Sequence, residues 1–218
     1  MEPIIRSVVS TDWITVVIFA SLFFAVVAKQ VSYARFLNFI ILPFNNKYIF
    51  MYNKKDRLFN GFNILFGIFQ LLNYSLFIYL CRPLWQDPAE EIFPFLYIVI
   101  FGLLLTFSLI KLFLQLANGF FFNNTKLVSE LIFKKLSYLF YSSIIVFLAN
   151  ICLVYIFKDS RLVIYITAFL VIAVNLVGWV TILKNYQKEI TTKFFYFILY
   201  LCALEIAPIV IFVNALTK

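Results

Sequence analysis

Histidine is missing altogether. With it go the commonest metal ligand and the commonest acid–base group near neutral pH. Cysteine is scarce. Cys81, Cys152 and Cys202 stand far apart, an odd number that gives neither a disulfide framework nor a metal-binding spacing. Charge is scarce as well. Only 13% of the residues are charged, against roughly 25% in a water-facing domain of ordinary composition. The sequence shows no paired carboxylates, no glycine-rich phosphate loop and no nucleophile–base spacing. It also lacks a matching pair of half-repeats, a low-complexity linker and any stretch long enough to fold as a soluble domain.

What is present is apolar. Of the 218 residues, 64% are hydrophobic, and the mean hydropathy is +0.99. A chain this short cannot enclose so much apolar surface in water. Lipid is therefore the solvent for most of it. The 29 Phe and 13 Tyr are read as lipid-facing bulk and interfacial anchors. No spaced pattern marks an aromatic cage. The net charge is +8, but the basic residues flank apolar segments. They read as topology signals, not as a nucleic-acid footprint.

The N-terminal "MEPIIRSVVSTD" carries Glu2, Arg6 and Asp12 and does not resemble a basic signal region. An uncleaved first span is expected. A helical span needs about 20 mostly apolar residues. Six segments meet or approach this: 12–29, 59–81, 92–116, 136–157, 161–184 and 194–216. The expected fold is an all-α membrane protein. It is a bundle of about six transmembrane helices with one or two interfacial amphipathic helices, in a single integral membrane domain over 1–218.

Two apolar stretches are unsuited to spanning. In 33–57 the run is broken by Pro43, Asn45 and Asn46. Its first half sets Phe36, Phe39, Ile40 and Pro43 on one helical face, with Arg35 and Asn38 elsewhere. That suits a helix lying in the interface, with a re-entrant segment as the alternative. The other, beginning near Leu127, carries Glu130 and Lys134 at i,i+4 spacing and feeds the fourth span.

Basic residues gather after the first, third and fifth spans: Lys29, Arg35, Lys47, Lys54, Lys55 and Arg57, then Lys126, Lys134 and Lys135, then Lys184, Lys188 and Lys193. Acids gather on the other side, including Asp87, Glu90, Glu91 and Asp159. The basic side is expected to be cytoplasmic, with both termini periplasmic. Lys111, near the cytoplasmic boundary, is expected to snorkel. Pairing with Glu205 is the alternative. In the first loop, Lys54, Lys55 and Arg57 with Tyr48 and Tyr52 read as a contact to anionic lipid heads or to a partner protein.

Polar residues inside spans are where function would show. Glu205 sits at the midpoint of the last span. A charge at that depth costs about 2.5–3.5 kcal/mol on insertion scales, so the carboxyl must face protein or water. Pro208 lacks an amide donor and frees the carbonyl of Leu204 beside it. Candidate partners are Asn63, Gln70 and Asn73 on the second span, Asn150 on the fourth and Asn175 on the fifth. Asn63 and Gln70 are seven apart and share a helix face. This set forms the expected intramembrane polar site, either as hydrogen-bonded struts or as a proton path.

The stretch "NNKYIFMYNKKDRLFNGFNILFGIFQLLN" and the later "FILYLCALEIAPIVIF", with its Leu204-Glu205-x-x-Pro208 pattern, resemble a family of small polytopic inner-membrane proteins of unknown function from Bacteroidota. The resemblance runs over most of the chain. It implies a Gram-negative cytoplasmic membrane and brings no catalytic residues or cofactors.

The expected function is a non-enzymatic inner-membrane subunit that docks into a larger cell-envelope assembly for secretion or transport. Its partners would be membrane lipids and another membrane protein, without nucleic acid, cofactor or metal. The alternatives are a small proton-coupled transporter using Glu205 and, last, a lipid-modifying membrane enzyme.

Overall fold

A computed structural model describes residues 12–42, 47–52, 60–82, 94–121, 125–158 and 160–185. Every regular element among them is helical: α1 (Asp12–Val31), α2 (Tyr33–Ile40), α3 (Lys47–Tyr52), α4 (Gly61–Leu80), α5 (Pro94–Phe121), α6 (Thr125–Ile151) and α7 (Arg161–Asn185). A π-helical turn, Cys152–Ile156, extends α6. The expected segment 194–216 lies outside the described residues.

Four helices begin and end within a few residues of the expected spans. The exception is α6. It starts at Thr125, because the amphipathic stretch near Leu127 continues without a break into the apolar run. At the ends of α1, Asp12 and Lys29 oppose the helix dipole. Hydroxyls buried along the helices return to backbone carbonyls three or four residues earlier: Ser21 to Ile18, Ser75 to Leu72, Ser137 to Phe133, Ser143 to Phe140 and Thr167 to Val163. Such bonds satisfy polar groups where no water is available.

α4 and α6 form the centre. α4 packs on α1, α5 and α6, and α6 packs on α4, α5 and α7. Two apolar clusters show that the long helices run alternately up and down. At one end, Ile14 and Ile18 of α1 meet Leu76 and Tyr79 of α4, Tyr97 of α5 and Val154 after α6. Trp13, Tyr79 and Tyr97 form a ring triad there, with centroids 5.1–6.4 Å apart. At the other end, Ala28 of α1 meets Phe62, Phe66 and Phe69 of α4, Phe133 and Phe140 of α6, and the short helices α2 and α3.

α2 differs from its expected register. It turns Arg35 and Phe39 inward, followed by Leu42, whereas Ile40 is exposed. The helix is amphipathic, but its inner face is centred on an arginine. Pro43 lies outside the described residues.

Candidate functional site

The buried arginine organises the α2–α3 end. Arg35 is 3% exposed. Its Nε donates to the Tyr48 hydroxyl at 3.3 Å and its Nη2 to Asn63 Oδ1 at 3.3 Å. The guanidinium carbon lies 5.0 Å from the Tyr52 ring centroid, 5.1 Å from Phe62, 5.8 Å from Phe133 and 5.9 Å from Tyr48. Four rings from α3, α4 and α6 thus surround one cation from α2. A guanidinium suits such a place because it is planar, weakly hydrated and able to stack while it donates. A desolvated cation–ring interaction is worth about 2 kcal/mol. Tyr48 in turn stacks on Phe133 at 5.9 Å.

This arrangement corrects two expectations. An aromatic cage exists, assembled from residues too far apart in sequence to show a spacing. And Tyr48, expected at a lipid or partner surface, is fully buried, because its hydroxyl accepts from Arg35 and its ring covers the cation. Tyr52 is half-buried in the same cage. Lys54, Lys55 and Arg57 lie outside the described residues.

The expected intramembrane polar set separates into three parts. Asn63, in the first turn of α4, joins Arg35. Asn73 and Asn150 join α4 to α6: Asn150 Nδ2 donates to the Asn73 carbonyl at 3.0 Å and to its Oδ1 at 3.5 Å. Asn175 Nδ2 donates to Ser142 Oγ at 3.5 Å, and Ser142 shares a 2.7 Å hydrogen bond with the Tyr74 hydroxyl. That chain ties α4, α6 and α7 together. Gln70 is half-buried on α4. Glu205 and Pro208 lie outside the described residues.

Near the opposite end, Cys81 packs with Leu153 and Ile164, and burial pushes its thiol up to about 11. It is a packed apolar group, not a nucleophile at neutral pH. Among the described residues, no cluster of His, Cys, Asp or Glu could hold a metal ion.

Five of the described helices are long and apolar enough to cross a membrane: Asp12–Val31, Gly61–Leu80, Phe95–Ala117, Val128–Ile156 and Arg161–Thr181. The fold is that of an all-α, multi-pass membrane bundle. The chain belongs to the family of the domain of unknown function DUF4271, which matches residues 14–216. No curated protein and no solved structure matches it.

Proposed function

We propose that this protein is a non-enzymatic subunit of the bacterial cytoplasmic membrane that docks into a larger cell-envelope assembly of the secretion or transport kind. The observation that carries this reading is the use of the intramembrane polar groups. Asn150 donates to Asn73 through Nδ2, and Ser142 is shared between Tyr74 and Asn175. These groups join helix to helix, as structural polar residues in lipid do. The Arg35 cage fastens the first loop to the bundle in the same way. The result is a stiff helical body suited to holding a position in an assembly. The basic bias of the first, third and fifth loops supports a cytoplasmic position for the α2–α3 end.

Co-purification from gently solubilised native membranes tests the proposal. A membrane protein recovered in constant ratio is the expected result. A stable, partner-free monomer overturns it. Glu205→Gln separates this reading from proton transport, since glutamine keeps the shape and hydrogen bonds but cannot carry the proton. Complex yield and phenotype should match wild type.

A further inference from the structure

Among the described elements, α7 packs on α6. Gly178 lies against the Tyr138 ring, and Phe169, Ile172 and Leu176 are left exposed. Asn175 is half-buried and stands at the edge between these two faces. Its hydrogen bonds are complete on the donor side only. Nδ2 donates to the Val171 carbonyl at 2.8 Å and to Ser142 Oγ at 3.5 Å. Ser142 donates its own hydrogen to the Leu139 carbonyl at 2.9 Å. The Tyr74 hydroxyl is therefore the donor in its 2.7 Å contact with Ser142. Every side-chain hydrogen of this chain is thus in use. Acceptor capacity remains, above all at Asn175 Oδ1, which receives no hydrogen bond among the described residues. Whatever covers this edge should bring one donor on an apolar surface.

The segment 194–216 meets both needs. α7 ends at Asn185, so only residues 186–193 separate it from the expected last span. A connection that short makes consecutive helices antiparallel neighbours. Asn175 comes ten residues before the end of α7, and Glu205 eleven residues after position 194. At 1.5 Å per residue both stand roughly 15–17 Å from the shared connection. A carboxyl that keeps its proton supplies one O–H donor and avoids the cost of a charge at that depth. We infer that the segment 194–216 docks along the Asn175 edge of α7, with Glu205 donating to Asn175 Oδ1. Glu205 then closes the hydrogen-bonded chain that already ties α4, α6 and α7. A glutamine at this position keeps a donor in its amide, in line with the tolerance expected of Glu205→Gln. The docking is internal to the chain and does not depend on the assembly proposed above.

The test uses the full chain in native membranes, in a Cys81→Ala/Cys152→Ser background that leaves Cys202 as its thiol. Cys202 precedes Glu205 by three residues, which matches the depth of Trp179 on the Asn175 edge of an antiparallel α7. Oxidation should link Cys202 to the new thiol of a Trp179→Cys variant within one chain. It should leave a Val177→Cys variant, altered on the opposite side of α7, unlinked. A link at position 177 instead, a link between two chains, or no link at either position overturns the proposal. Should these variants not fold, thermal unfolding in detergent with the native cysteines gives the answer. Glu205→Leu and Asn175→Leu should each lower the midpoint, because each strands a polar partner. The double variant should lower it by less than the sum of the two. Additive losses overturn the contact.

Discussion

Arg35 shows how a charge read as a topology signal can also have a structural role. In the sequence it is one of several basic residues from which a cytoplasmic first loop is expected. In the fold it is buried among Tyr48, Tyr52, Phe62 and Phe133. No local spacing announces this, because the rings come from α3, α4 and α6. Arg35→Lys should cost about 2 kcal/mol, since an ammonium lacks the flat face and the fork of donors. Thermal unfolding in detergent would measure it. Cys81 offers a second test at this scale. Its folded thiol keeps its proton to about 11, above the ordinary 9.0. The sign follows: its contribution to stability is full below pH 9 and falls as pH rises toward 11. In a Cys152→Ser/Cys202→Ser background, alkylation at pH 8 should be slow. It should accelerate as pH approaches 11.

At the scale of elements, the helices were legible and their mutual rotation was not. Apolar length alone identified the spans now seen as α1, α4, α5 and α7, because lipid demands about 20 apolar residues per crossing. The polar site was only partly legible. Asn63 and Gln70 share a helix face by spacing, but α4 is turned so that Asn63 meets Arg35. Asn73 finds its partner on α6. Spacing fixes a face; neighbouring helices decide what the face meets. Two substitutions weigh the forces between helices. A Cβ on Gly178 would lie 2.6 Å from Cγ of Tyr138, so Gly178→Ala should push α7 off α6 at a cost of about 1–3 kcal/mol. Asn150→Ala removes the bond to Asn73 and should cost only about 0.6 kcal/mol. Unfolding of both variants in the same detergent would rank them, with close packing ahead of the polar link.

The whole molecule has two unlike ends. One closes with the Trp13–Tyr79–Tyr97 triad, where Arg82 lies 5.2 Å from the Tyr79 ring. The other closes with α2 and α3 packed across α4 and α6. The basic bias of the first, third and fifth loops predicts that the α2–α3 end is the cytoplasmic one. Phosphatase reporters fused within 53–59 or 122–124 should be inactive, as in the cytoplasm. A reporter within 83–93 should be active. The reverse pattern would invert the orientation.

The π-helical turn after α6 also bears on chain length. Phe157 N donates to the Cys152 carbonyl at 2.7 Å, so this turn closes around one residue more than an α-helical turn does. Just before that closure, Tyr155 reaches Thr15 of α1 at 2.9 Å. The widened turn therefore acts as slack taken up at one point. A chain shortened by one residue within 152–156 would draw the turn back to α-helical spacing. Because the π turn already holds that extra residue, its loss would leave the residues after the cut close to their present place around the axis, and α7 would keep its face in the bundle.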